Sequence, residues 1–519
     1  MCDSFAKSPI MAGSVVPNLN VLFHTEYKTY PTSNPCIIKT CLQLEANLIH
    51  ESTRTRLTED EVRTAVMSSQ RKKIIFVLDM SDSMEPNIFL LKQIMNKVAE
   101  TVQGDSIGIV TFDTETHIIS PLKSISKDED RISLRQSIRK LRTGGCTDLC
   151  AGILKGMDVL WEEKAQHESE RRFMVILTDG VTNSGITDAL QIQEQLDKTP
   201  HIAQTDVYCM ALGSHVNQDL LQTIVMTHSG RLYALESTST LSQTFGDCMG
   251  SIMSTLFTNV KVGISSRFPL STSFRGKTSK QQTQDKKHVL EIELGTMFIG
   301  DMRDVMVTIE LPLGWDSSAP IGSIALCHDH HSMTQGSDIT TSGVTIIPMV
   351  VEVDPTIAQP QHPNPYVIRQ QMRVDVASIM EEMSKLCRGE DAMEALKRRA
   401  KHIEDEIRSL GWQDDPLCRE LLANLTQLPT MPSFLCRAAS AGLTYQRQTS
   451  VTDAAHASAL YTTSLQRSLS NHYASGNDAN DPHEDEENMG PIRPVASHQH
   501  RHPMPILKRA NAYAHIDKN

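Results

Sequence analysis

Oxygen-bearing side chains at three separated points carry the chemistry that this sequence offers. Asp79, Ser81 and Ser83 alternate within Asp79-Met80-Ser81-Asp82-Ser83, Thr147 follows a glycine pair in Gly144-Gly145-Cys146-Thr147-Asp148, and Asp179 follows Leu177-Thr178. Hydroxyls and carboxylates suit a hard cation. Mg2+ takes about six oxygens at roughly 2.0–2.1 Å and usually keeps some of its waters. Two or three hydroxyls with one or two carboxylates leave coordination positions open. An open position on an exposed rim can accept a carboxylate from another molecule. Mg2+ is therefore the expected ion, with Mn2+ or Ca2+ as alternatives.

Such a set needs a frame that brings the three stretches together. Residues 74–78, Ile-Ile-Phe-Val-Leu, form an uninterrupted apolar run, the pattern of a strand buried on both faces. Further strand patterns fall at 106–112, 173–177, 206–212 and 231–235, with helical periods at 88–102, 129–141, 148–163, 188–196, 217–225 and 240–256. In the helix from Asp148, Leu149, Ile153, Gly156, Met157 and Leu160 form a sheet-facing stripe. Strands and helices alternating in this way imply an α/β unit with a doubly wound, mostly parallel sheet. The carboxyl ends of its strands are where ligand-binding loops meet, so the three stretches can converge there.

Outside residues 72–256 the pattern changes. Residues 1–16 have no period and are expected to be disordered, whereas 17–50 hold two β-type runs that cannot stand as an isolated hairpin. Residues 46–71 read as a polar connection. Across 257–353 the period is two, as in Val305, Val307, Ile309 and Leu311. These strands form an antiparallel β-sandwich. The N-terminal strands would complete it, which makes the α/β unit an insertion. The span 364–430 is helical, with Met372, Val376, Ile379, Met383 and Leu386 stepping by four and three. Residues 438–519 are low in complexity and too polar to bury a core, so a disordered tail is expected. Cys327-His328-Asp329-His330-His331 reads as a solvated hairpin and not as a zinc site, for want of a second ligand pair.

Bulk properties narrow the function. A formal net charge of −12 argues against nucleic acid or an anionic membrane as the main partner. No basic-then-apolar leader opens the chain and no apolar run approaches the ~18 residues of a membrane span, so a soluble cytoplasmic protein is expected, with the nucleus as an alternative. Eleven cysteines without any CxxC are expected to be reduced thiols. No P-loop, GxSxG or HExxH occurs, and the chain is not expected to be an enzyme.

Taken together, Asp79-x-Ser81-x-Ser83, Thr147 and Asp179 resemble the metal-ion-dependent adhesion site of von Willebrand factor type A domains, over residues 72–256. The resemblance implies direct coordination by Ser81, Ser83 and Thr147, with Asp79 and Asp179 direct or through water. It also implies a ligand that supplies an acidic side chain. Asp82 and Asp148 depart from the residues usual in the family, and both add charge beside the ion. The flanks, including Phe298-Ile299-Gly300-Asp301, resemble intracellular von Willebrand A proteins such as plant RING-finger ligases of the wavy-growth type. No RING ligand spacing is present here, so ligase activity does not follow. The resulting expectation is a cation-dependent protein-interaction module whose partner donates Asp or Glu, with self-association through the helices possible. The alternatives are a scaffold or ubiquitin-pathway adaptor working through helices and tail, and a metal-assisted hydrolase.

Overall fold

The computed structural model describes residues 15–31, 35–58, 60–62, 72–102, 104–162, 172–178, 182–212, 220–221, 224–225, 231–235, 241–273, 278–284, 287–315, 318–331, 340–353, 363–385 and 390–427. Asp179, most of the helix expected at 217–225 and the tail at 438–519 lie outside them.

Chain order begins with β1 (Val15–Thr25), β2 (Thr29–Tyr30) and β3 (Cys36–His50). The α/β unit follows as β4 (Lys73–Asp79), α1 (Ile88–Thr101), β5 (Ser106–Phe112), β6 (Thr116–Ser124), α2 (Asp128–Arg139) and α3 (Leu149–Leu160). It continues as β7 (Arg172–Thr178), α4 (Ala189–Asp197), β8 (Thr205–Leu212), β9 (Arg231–Leu235) and α5 (Leu241–Met253).

The six strands of this unit lie in the order β6-β5-β4-β7-β8-β9. All neighbours are parallel except β6, which runs antiparallel to β5. β4 takes the middle because it is apolar on both sides. Ile74, Phe76 and Leu78 pack under α1, α2 and α5, whereas Ile75 and Val77 pack against α3 and α4. All five are fully buried, and burial of each contributes about 1.5–3 kcal/mol. The helix after β4 covers one face and the helix after β7 covers the other. The switch point of the sheet therefore falls between β4 and β7, the strands that carry Asp79 and Thr178 at their carboxyl ends.

β10 (Thr255–Ser266) follows α5 directly, and then come β11 (Leu270–Thr272), β12 (Thr278–Gln284), β13 (Lys287–Phe298), β14 (Met302–Leu311), β15 (Gly322–His331), β16 (Thr340–Met349) and β17 (Glu352–Val353). They form two antiparallel sheets, β1-β3-β14-β11 and β12-β13-β10-β15-β16, around one apolar core, with β2 and β17 paired separately. β3 pairs with β14 from Cys36 opposite Leu311 to Glu45 opposite Met302. The α/β unit is thus inserted between two strand sets that share a core. β3 runs to His50, so the polar connection starts later than the sequence suggested. Ala46 and Leu48 are buried and keep the period of two going.

At Cys327–His331 the expected hairpin is present, with Cys327 opposite Val344 and His331 opposite Thr340, but residues 327–330 are half-buried and not fully solvated. The segment belongs to β15, which is paired with both β10 and β16. His328 and His330 share a face with Ile324 and Leu326, and their rings lie 4.8 and 5.9 Å from that of Phe257. Burial lowers the pKa of both imidazoles.

Three helices end the described chain: α6 (Pro365–Lys385), α7 (Glu390–Ser409) and α8 (Pro416–Gln427). Met372, Val376, Ile379, Leu396, Ile403, Ile407 and Leu421 form their shared core. α6 docks on the sandwich through Val367 over Cys41 and Met306, and the Tyr366 hydroxyl donates to Asp304 at 2.5 Å. None of the described helices is long and apolar enough to cross a membrane.

Candidate metal-binding rim

Three connections meet at the carboxyl edge of the α/β sheet. Asp79 ends β4 and is fully buried. Its Oδ1 accepts the Ser81 N–H at 2.9 Å, and its Oδ2 accepts the Thr178 hydroxyl at 2.6 Å. The carboxylate thereby ties the loop after β4 to the end of β7. The chain then turns through a 3-10 segment, Asp82–Asn87, which leaves Ser81 buried and Ser83 exposed, with their Oγ atoms 3.1 Å apart.

The stretch between α2 and α3 is held against this loop by backbone bonds. Gly144 N–H donates to the Met80 carbonyl at 2.7 Å, and Asp82 N–H donates to the Gly145 carbonyl at 3.3 Å. Gly145 has φ +83°, a conformation that a side chain would oppose. Thr147 is buried, and its N–H donates to Asn183 Oδ1 at 2.7 Å. Its carbonyl accepts the N–H groups of Asn183 and Ser184, both at 3.2 Å. The loop after β7 thus clamps the Thr147 loop.

The structure places Asp79, Ser81, Ser83 and Thr147 on loops bonded to one another, and Asp179 lies outside the described residues. Thr178 and Asn183 were not singled out from the sequence. The available signal for Thr178 was a hydroxyl ending an otherwise apolar strand. Asp148, read from the sequence as an added charge beside the ion, has a helix-capping role. Its Oδ1 accepts the Ala151 N–H at 3.0 Å, satisfying a donor of the first turn of α3. The same carboxylate sits where a Cβ on Gly185, φ +66°, would come within 2.0 Å. Asp82 is exposed beside the loop. Within α3, burial and then Asp148 raise the Cys150 thiol pKa, which makes it a poor nucleophile.

The donor chemistry fits a hard cation. Adjacent vertices of an octahedron with Mg2+–O bonds of 2.0–2.1 Å are about 2.9 Å apart, and those around Ca2+ are further apart. The Ser81 and Ser83 hydroxyls, hydrogen-bonded at 3.1 Å, fall between the Mg2+ spacing and the ~3.3 Å spacing set by the shortest Ca2+–O bonds, so the pair suits a hard cation without selecting one of the two. These oxygens come without an adjoining imidazole or thiolate set, and among the described residues no group of three or more His, Cys, Asp or Glu could hold a metal on its own.

Residues 73–247 match the family model of the von Willebrand factor type A domain. Inter-alpha-trypsin inhibitor heavy chain H1 of Mesocricetus auratus is 24% identical over 169 residues, covering 32% of this chain and 18% of the relative. Calcium-activated chloride channel regulator 3A-1 of Mus musculus is 28% identical over 187 residues, covering 35% and 19%. The chain thus spans about a fifth of the length of these curated relatives. Among solved structures, a von Willebrand factor type A protein from Catenulispora acidiphila superposes with TM-score 0.57 at 14% identity, covering 81% of this chain and 91% of that one. The ArnB paralog VWA2 from Sulfolobus acidocaldarius superposes with TM-score 0.52 at 12% identity, covering 83% and 98%. These two likenesses extend beyond the α/β unit and concern the fold.

Proposed function

Because residues 73–247 are a von Willebrand factor type A domain, we propose that the chain is a divalent-cation-dependent protein-interaction module. In this reading Ser81, Ser83 and Thr147 hold Mg2+ directly, and Asp79 and Asp179 hold it directly or through water. A carboxylate from a partner protein completes the coordination. The ion would supply a fixed positive charge at the rim, which an acidic side chain can reach only from outside. The observation that carries the reading is the Asp79 carboxylate, buried at a sheet switch point and bonded to both the Ser81 loop and the end of β7. Burying an ionised carboxylate costs several kcal/mol unless it is compensated, and a cation bound above it offsets that cost. Mn2+ would serve in the same oxygen set. The flanking sandwich orients the domain, and the helices offer a separate surface for self-association.

Mn2+ titration followed by electron paramagnetic resonance tests the ion. One tightly held Mn2+ per chain, displaced by Mg2+ and lost in Ser81→Ala, is expected. Partners captured on immobilised protein in Mg2+ should be released by EDTA and absent with Thr147→Ala. Partners that persist unchanged through both treatments would refute the metal-bridged reading.

A further inference from the structure

A cleft of about 300 Å³ lies beside the rim, between the β5–β6 hairpin and the segment joining α2 to α3. Its inner lining is formed by Met80, Leu141 and Thr111, all buried, with Ile119 half-buried. Its outer lining carries Lys140, Arg142 and His117 against a single carboxylate, Asp113. That carboxylate is engaged within its own turn, where Asp113 Oδ1 accepts the Glu115 N–H at 2.8 Å.

Of the two basic side chains at the cleft mouth, Arg142 is held through backbone carbonyls and Lys140 is exposed. Arg142 Nη1 donates to the carbonyls of Arg139 and Leu141 at 3.0 and 2.8 Å, which leaves its other donors for a ligand. No described carboxylate pairs with Lys140 or Arg142. The neighbouring Lys92 has its pKa lowered by burial and then by the Arg142 charge. Cations at the end of α2 favour its C-terminal dipole. That accounts for their place on the helix, but not for a cleft that opens from them to Met80. Met80 lies between Asp79 and Ser81, and the cleft residue Gly144 donates its N–H to the Met80 carbonyl. Cleft and rim therefore share a wall.

We propose that this cleft receives a second acidic side chain of the same partner segment. The partner is then an extended peptide with two carboxylates, one completing the ion and one meeting Lys140 and Arg142. The inference rests on the metal-bridged reading above. It also answers a difficulty of that reading. The chain carries a net charge of −12, and Asp82 and Glu85 are exposed at the rim, so an acidic partner is otherwise repelled. In an extended segment alternate side chains share a face, so two acids turned toward the same wall lie about two or four residues apart.

The test is fluorescence anisotropy of the full chain with labelled Gly/Ser/Ala peptides carrying no Glu, one Glu, or two Glu at those spacings. In Mg2+ the best two-acid peptide should bind about tenfold more tightly than the one-acid peptide, equivalent to about 1.4 kcal/mol. Added NaCl should shrink that advantage through screening. The Lys140→Gln/Arg142→Gln double variant should lose the advantage while keeping one-acid binding. Lys140→Glu alone, which changes an exposed side chain, should invert it. If the second acid adds nothing in the wild type, or its advantage survives in these variants, the cleft assignment fails, while Mg2+-dependent one-acid binding leaves the metal-bridged reading intact. If no peptide binds in Mg2+, or binding persists in EDTA, both fail.

Discussion

At the scale of single residues, the rim separates groups that would touch an ion from groups that hold them in place. In the proposed site Ser83 is of the first kind, whereas Thr178 is buried and acts through the Asp79 carboxylate. Thr178→Val should leave Asp79 short of one hydrogen bond inside the protein, costing about 1–3 kcal/mol in urea denaturation. Ser83→Ala should change stability by no more than about 0.5 kcal/mol. If both are measured for Mn2+ affinity, Ser83→Ala should weaken it with no loss of fold, and Thr178→Val should weaken it alongside a loss of stability. Equal stability in the two variants would contradict the division. The same contrast explains what could be read in advance. Asp79, Ser81 and Ser83 sit close together in sequence and Thr147 follows a glycine pair, so the family resemblance could single them out as candidates. Thr178 reaches Asp79 across 99 positions, and Asn183 reaches Thr147 across 36. Only the folded sheet puts those partners together.

Elements set how accurately the loops are placed. α3 starts one residue after Asp148 and lies close to the sheet because glycines occupy positions 152 and 156, one turn apart on its inner face. A Cβ at Gly152 would lie 2.7 Å from the Phe112 ring, and one at Gly156 would lie 2.6 Å from Val77 Cγ2. Alanine would gain about 1 kcal/mol in helix propensity. Overpacking against a stiff ring costs about 1–3 kcal/mol. Gly152→Ala should therefore be net destabilising in thermal unfolding and should weaken Mn2+ binding, since the helix start carries Thr147 outward with it. A more stable Gly152→Ala with unchanged affinity would mean that α3 moves independently of the rim. Elements buried on both faces were legible for the same physical reason that makes them stiff. β4 and β7 are continuous apolar runs, and the α3 stripe was visible from its spacing. The missed strands are edges or very short. β6 carries Pro121, tolerated because an edge strand needs hydrogen bonds on one side only, and its pairing with β5 slips twice. β12, Thr278–Gln284, is an edge with no apolar side chain, and β11 has only three residues.

The whole molecule is a set of units whose junctions use buried polar groups. Thr296 on β13 donates to Asp206 on β8 at 2.6 Å, linking sandwich and α/β unit away from the rim. The helices join the sandwich through Tyr366 and Asp304 on one side and come near Lys39 of β3 at Asp375 on the other. Asp375 accepts a hydrogen bond from Gln371 at 2.9 Å, and its pKa is raised above the ordinary 3.8, chiefly by burial. Gln371, Lys39 and Arg399 pull that pKa down, and Glu406 pushes it up, so burial outweighs the favourable charges facing it. A folded-state pKa above the unfolded value means that the folded chain holds the proton longer. Stability therefore falls as pH rises from about the unfolded pKa through the raised one. Asp375→Asn keeps an acceptor for Gln371 and removes the titration. Its melting temperature relative to the wild type should rise between pH 4 and pH 7, with the difference levelling off once the wild-type carboxylate is fully ionised. A relative melting temperature of Asp375→Asn that falls between pH 4 and pH 7 would show that Lys39 and Arg399 outweigh burial. The helical unit would then be pinned to the sandwich by charge, and salt would loosen it.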